Sequence, residues 1–292
     1  MLVRDRSKAN FGTLNIDMVQ GDLNDEAALN DLCARADCII HVAGAIAGLK
    51  RQDFFDVNET GTKNVAQAAK RAGVERFVHV SSLAAREPQL SHYAASKSAG
   101  EDIVKSIIAK ECLVVVRPCA VYGAGDKATL PLIKVLTQRV AILPGTMQQK
   151  ISWVNVKDLV AGLVCLAQNE VIPDGVVEIS DGKDGGYLWR EMTTLAGQAQ
   201  SRKVKLVLLP AFVVKIAAVF ADLWANFRQK PDVFSRAKVN EIYFNDWAAQ
   251  PCEIKGWSPQ IGFEQGFAET LLWYQQNGWL PPSKQSATRH TE

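Results

Sequence analysis

From residue 16 to residue 123, short apolar runs alternate with segments whose apolar positions recur every three or four residues. IDMVQGD (16–22), DCIIHVAG (37–44), VERFVHVSS (74–82) and CLVVVRPCAVYG (112–123) are rich in β-branched residues. They lack regular polar alternation, so they read as strands buried on both faces. DEAALNDLCARA (25–36), NETGTKNVAQAAKRAG (58–73) and HYAASKSAGEDIVKSIIAK (92–110) carry the helical period, and Gly73 stands where a C-terminal cap belongs. Strands each followed by a helix predict an α/β fold with a doubly wound parallel sheet. Ligands of such a sheet bind at the carboxyl ends of its strands.

After residue 125 the rhythm breaks. PLIKVLTQ (131–138) predicts a short helix, residues 151–168 a strand and then a helix, and GVVEISDG (175–182) a strand returning to the sheet. The remainder reads as mostly helical, with loops at 230–232 and 250–260. Residues 204–224 predict a strand followed by a buried amphipathic helix. Pro210 and Lys215 interrupt this stretch, so it is a poor membrane span. A lipid or membrane-surface contact is its second reading. The polar tail, 281–292, is expected to be disordered.

Composition narrows the classes. The net charge of +2 offers no electrostatic footprint for nucleic acid. Six cysteines stand apart, with no CxxC pair and no nearby His cluster, so neither a metal site nor a disulfide framework is expected. Scattered thiols suit a reducing compartment, and a cytoplasmic location is expected. No apolar leader is expected in the first residues, because Arg4, Asp5, Arg6 and Lys8 interrupt any apolar run.

The sharpest local chemistry is Tyr93-Ala-Ala-Ser-Lys97. Residues four apart share a helix face, roughly 5–6 Å apart at Cβ. An ammonium beside a phenol favours phenolate by about 1–3 pKa units, which would make Tyr93 an acid/base group near neutral pH. Ser81 and Ser82 end the strand just upstream, and either could hold a substrate oxygen.

These residues resemble the short-chain dehydrogenase/reductase family, in its extended branch with a C-terminal substrate domain. Ser82, Tyr93 and Lys97 match the family's Ser-Tyr-Lys triad, and the resemblance selects Ser82 over Ser81. His41-Val42-Ala43-Gly44-Ala45 is similar to a segment that lies along the dinucleotide, implying cofactor contacts from Val42, Ala43 and Gly44. Gly21-Asp22-Leu23 resembles the pair whose acid faces adenine, implying Asp22 and Leu23. Arg117-Pro118-Cys119-Ala120-Val121-Tyr122-Gly123 is similar to the segment beside the nicotinamide, implying Pro118 and Val121. Lys97 would also bind the nicotinamide ribose. Asn58 matches the family's asparagine, but a backbone-fixing role is the stronger reading for it. His41 reads equally well as a core histidine.

The resemblance implies a Rossmann-like dinucleotide-binding domain over 1–125, with 151–182 returning to it. A smaller, mostly helical substrate domain would take 126–150 and 183–280. The family's GxxGxxG loop is not found in the chain. Leu2-Val3-Arg4-Asp5 resembles the end of the family's second strand, so the first strand, glycine loop and first helix are expected to be missing before Met1. Arg4 at that strand end favours NADP over NAD, because an Arg accommodates the extra phosphate.

The implied activity is hydride transfer between nicotinamide and a carbonyl or secondary alcohol. The substrate is expected to be small and apolar, because Phe212, Phe220, Trp224, Phe227, Phe234, Tyr243, Phe244 and Trp247 could line its pocket. The most similar members are of the 3β-hydroxysteroid dehydrogenase and dihydroflavonol reductase type. Two alternatives are a sugar-nucleotide epimerase or dehydratase, and a non-catalytic subunit on the same fold. A small-molecule substrate is the expected partner, without nucleic acid or a membrane span, and a homodimer is compatible with the sequence.

Overall fold

A computed structural model describes residues 1–9, 11–173, 175–228, 236–250 and 252–282, with backbone alone for 220–227 and 236–237. Strands β1 (Leu2–Val3) and β2 (Val19–Gln20) form a parallel ladder, Leu2 beside Val19. Helix α1 (Glu26–Cys33) starts where the Asp25 carboxylate accepts from Ala28 N at 3.0 Å. Strand β3 (Cys38–His41) leads to α2 (Arg51–Phe55), and a π-helical stretch, Asp56–Gly61, joins α2 to α3 (Thr62–Ala72). Gly73 closes α3 in the left-handed conformation, φ 70°, which costs a residue without Cβ nothing. Then come β4 (Arg76–Val80), α4 (His92–Ile107) and β5 (Leu113–Pro118).

The segment 112–123, expected as one strand, is two. β5 ends at Pro118, where Cys119 N donates to Ile179 O at 3.1 Å. β6 (Ala120–Tyr122) then changes partner. The reason is Pro118 itself, which has no N–H to continue a ladder. Helix α5 (Leu130–Leu136), β7 (Val140–Pro144), β8 (Lys150–Ile151), β9 (Trp153–Asn155), α6 (Val156–Gln168) and β10 (Val176–Ile179) follow. The main sheet is parallel throughout, in the order β10-β5-β4-β3, with Val176 beside Val115, Phe77 beside Leu113 and Ile39 beside Phe77. β6 pairs in parallel with β9.

Both faces of the sheet are covered, as continuous apolar strands require. Phe77 and Val115 pack with Leu29 of α1, Val65 of α3 and Val104 of α4. Val78, Val114 and Val116 pack on the other face with Leu159 and Leu163 of α6. Full burial of a side chain such as Phe77 stabilises the fold by roughly 1.5–3 kcal/mol.

The C-terminal part holds β11 (Tyr187–Leu188), α7 (Trp189–Gln198), β12 (Lys205–Leu209), α8 (Ala211–Arg228), α9 (Arg236–Ile242), β13 (Asp246–Trp247) and α10 (Phe263–Gln276). Its core gathers Tyr122, Trp153, Phe263, Phe267 and Tyr274. One expectation fails over the described side chains of α8, 211–219 and 228, which are mostly exposed. Only Val214 and Ala218 are buried among its described side chains, while Phe212, Val213, Ile216 and Val219 are exposed. Two other readings, the loop at 230–232 and the tail from 283 to 292, lie outside the described residues.

Candidate active site

The carboxyl ends of β3 and β4 and the first turns of α4 converge. Ser91 caps α4 by accepting from Ala94 N at 3.0 Å, which sets Tyr93 in the first turn and Lys97 one turn on. Ser82 ends the β4 segment and accepts from Ala84 N at 3.2 Å, so its hydroxyl proton is free to be donated. The Ser82 side chain lies near enough to the Tyr93 phenol to pull its pKa down. Ser81 turns the other way and donates to Glu101 Oε1 at 2.6 Å.

The expected Lys97–phenol pair does not form. Lys97 is buried, and its Nζ donates to the Val80 carbonyl at 2.8 Å. Burial brings its pKa down to about 8, against the pull of Glu101. The phenol of Tyr93 is raised, not lowered: burial dominates, and the nearby Ser82 hydroxyl opposes it. The cation facing that ring is Lys238 of α9, with Nζ 5.7 Å from the ring centroid. Lys238 also donates to Glu241 Oε2 at 2.5 Å, and Glu241 accepts from Ser91. Lys238 and Glu241 lie far from the motif in sequence, so no local pattern signals them.

Asn58 ties the loop after β3 to α4. Its amide donates to Ala45 O at 3.0 Å and Ser96 Oγ at 2.8 Å, and its oxygen accepts from Ala45 N at 2.8 Å. The π-helical stretch turns Asn58 inward, a common use of such bulges. Thr62 Oγ1 donates to Asn58 O at 2.8 Å, so the 3.1 Å contact with His41 Nε2 requires the ring nitrogen to be the donor. His41 stacks on His79 with centroids 5.7 Å apart, both in the core. Burial and the Lys97 charge bring His41 to about 4, and burial holds His79 well below the usual histidine range. Behind Lys97, Arg117 grips Glu101 in a two-pronged ion pair at 2.7 and 2.8 Å.

The other sequence-predicted positions fall into two groups. Val42, Ala43 and Gly44 are exposed at the carboxyl end of β3. A Cβ on Gly44 would stand 3.1 Å from Asn58 Oδ1 and 3.6 Å from Lys97 Nζ, so the backbone there is open to close approach. Pro118 is buried at the end of β5, and Val121 is half-buried. Arg4 lines an open depression of about 620 Å³ with Val3, Asp5, Lys8, Ala9 and Phe11. Asp5 is taken up by Ser7 and Lys8, whereas no described residue pairs with Arg4. Asp22 accepts from Asn24 N at 2.8 Å, and Leu23 packs against Gly61, where a Cβ would come within 2.7 Å of Leu23 Cδ1. An exposed strand end beside a buried ammonium, together with an unpaired guanidinium at a depression, fits a dinucleotide.

Of the expected aromatic lining only part is described, and there Phe244 packs on Trp247 with ring centroids 4.8 Å apart. Phe212 is exposed, Tyr243 donates to Leu209 O at 2.7 Å, and Trp247 packs between the two main cores. Phe220, Trp224, Phe227 and Phe234 lie outside the described side chains. Among the described residues no group of three His, Cys, Asp or Glu could hold a metal, and no helix is long and apolar enough to cross a membrane.

A doubly wound sheet with polar and ionisable side chains at its carboxyl edge is the frame of a nucleotide-dependent α/β enzyme. The model of a family described as NAD dependent epimerase/dehydratase matches residues 1–179. The chain is 39% identical over 270 residues to ceramide reductase of Caulobacter vibrioides, covering 92% of this chain and 83% of that protein. It is 25% identical over 293 residues to 3-beta-hydroxysteroid dehydrogenase of Mycolicibacterium neoaurum, covering 88% and 79%. Among solved structures, MoeE5 in complex with UDP-glucose and NAD shares the fold at TM-score 0.65 and 19% identity, covering 89% and 86%. The chain belongs to the NAD dependent epimerase/dehydratase family, within the extended short-chain dehydrogenases/reductases. It is an NAD(P)-dependent oxidoreductase of that type.

Proposed function

We propose that the chain reduces a ketone on a long-chain, apolar lipid, with NADPH as the donor. The observation that carries the chemistry is the Tyr93 phenol, set in the first turn of α4 near Ser82 at the end of the β4 segment and kept protonated by burial. A phenol held neutral by burial is an acid, suited to protonating an oxygen on which charge develops. Bound NAD(P)H supplies the hydride. Ser82 orients the carbonyl oxygen, and Tyr93 gives its proton to that oxygen as the carbonyl carbon is reduced. Lys97 places a positive charge under the 42–44 strand end, where it would hold the ribose of a bound cofactor. Ketone, hydride and proton sum to the alcohol.

The likeness to ceramide reductase supports a lipid ketone as substrate. The unpaired guanidinium of Arg4 supports NADP, since a 2′-phosphate gives it a partner. Val42, Ala43, Gly44, Pro118 and Val121 would flank the nicotinamide half, and Asp22 and Leu23 the adenine. In this reading residues 1–125 and 151–182 bind the dinucleotide, and 126–150 with 183–280 bind the substrate. Six free thiols support a cytoplasmic location.

The test is stoichiometric. A long-chain N-acylated amino-ketone presented in detergent micelles should consume NADPH one for one with alcohol formed, and faster than NADH. Conversion without net loss of NADPH would support the epimerase reading instead.

A further inference from the structure

Between residues 127 and 157, and again between 192 and 221, the chain has no acidic residue, and these two stretches hold nine cations. The whole chain is only +2, so the remainder is net acidic. The two stretches supply β7, β12 and the first turns of α8.

β7 and β12 pair in parallel, Val140 beside Lys205 and Ile142 beside Val207. Ala141 and Leu143 enter the core, and Leu206 and Leu208 pack against it. The opposite face therefore presents Val140, Ile142, Lys205 and Val207, all exposed. The chain then passes through Pro210 into α8. There Phe212, Ile216 and Val219, at i, i+4 and i+7, form one stripe. The stripe lies across the helix from the buried Val214 and Ala218. Phe212 is 66% exposed and Ile216 57%. A helix apolar on both sides is normally buried on both.

Charge selects the occupant. Lys215 flanks the α8 stripe, and Arg139, Arg202 and Lys203 cluster at the starts of β7 and β12, where Lys205 N donates to Arg139 O at 2.9 Å. Among the described residues no acidic side chain pairs with Arg139, Lys203, Lys205 or Lys215. A second copy meeting this face by two-fold symmetry would set cations against cations. The boundary between headgroups and acyl chains of an anionic bilayer accepts both components, apolar side chains below and ammonium groups at phosphate level. We infer that β7, β12 and the start of α8 form a docking surface for an anionic lipid bilayer.

Co-sedimentation of the full chain with vesicles tests this. Phosphatidylcholine vesicles containing phosphatidylglycerol should bind the protein, and pure phosphatidylcholine should bind it far less. Salt should weaken the binding. Each of Lys203→Gln and Lys205→Gln should weaken it roughly fivefold. Phe212→Ser/Ile216→Ser should lower it further while leaving the melting curve unchanged, because both side chains are exposed. No sedimentation with either vesicle, or binding indifferent to all of these variants, would overturn the inference. So would a dimer in gel filtration that Phe212→Ser/Ile216→Ser dissociates, since the face would then be a self-association surface. Vesicle binding is read without turnover, so loss of the lipid-ketone activity with binding intact would reject only the substrate reading.

Discussion

Lys97 Nζ donates to the carbonyl oxygen of Val80 at 2.8 Å, which places the ammonium beneath the strand end and away from the phenol four residues earlier. Burial lowers its pKa from the ordinary 10.5 to about 8. The folded state therefore holds fewer protons than the unfolded chain between about pH 8 and 10.5, and this group makes stability rise with pH across that window. The difference in unfolding free energy between the native chain and Lys97→Met, measured by urea titration from pH 7 to 10, should shift in favour of the native chain as pH rises. Turnover should fall above about pH 8 as the cation is lost. A pH-independent difference between the two proteins would show that Lys97 keeps its ordinary pKa.

Ser81 and Ser82 separate two roles. Tyr93→Phe should lower turnover by about 10²-fold or more, because it removes the acid hydroxyl. Ser82→Ala should cost less than Tyr93→Phe but more than Ser81→Ala. Ser81→Ala should instead lower stability by roughly 1.5–3 kcal/mol, the worth of a hydrogen bond to a charged group, here the Glu101 carboxylate. A larger turnover loss from Ser81→Ala than from Ser82→Ala would reverse the assignment.

Arg4 lies at an open depression, and no described residue pairs with it. Arg4→Ala should weaken NADPH binding by more than it weakens NADH binding, measured by calorimetric titration. Equal losses for the two dinucleotides would reduce Arg4 to a solvated loop residue.

The stacked pair His41 and His79 makes the fold acid-sensitive. Both folded values lie below the ordinary 6.5, and His41 lies at about 4. Their contribution is complete above pH 6.5 and is lost as pH falls toward 4, by roughly 3 kcal/mol for His41. Both ring nitrogens of His79 lack a hydrogen-bond partner. His79→Leu should be neutral or stabilising at pH 7 and should flatten the decline of the melting temperature between pH 6.5 and 5. An unchanged slope would mean that His79 titrates normally.

Gly266 of α10 lies against Tyr122. A Cβ at Gly266 would stand 2.1 Å from the Tyr122 hydroxyl oxygen, which has no hydrogen-bond partner. Gly266→Ala should destabilise the protein by roughly 1–3 kcal/mol through overpacking. Tyr122→Phe should cost little and should relieve part of that loss in the double variant. Additive effects of the two changes, read from urea denaturation, would show that they do not meet.

Local pattern determined the alternation of strand and helix to residue 123, the cap at Gly73 and the place of Tyr93 in the first turn of a helix. These are short-range properties: the period of apolar residues, one left-handed position and one helix face. The Tyr93–Lys97 spacing permitted a contact but did not compel one. The Val80 carbonyl, contributed by another element, took the ammonium, and Lys238 from 145 residues onward came to the phenol instead. The break at Pro118 was written in the chain, yet the new partner of β6 was settled only when β9 arrived beside it. Hydrophobicity in residues 204–224 announced burial, whereas among the described side chains of α8 the tertiary structure buries just Val214 and Ala218. Which apolar face is covered depends on what packs against it, and that is a property of the assembled fold rather than of the segment.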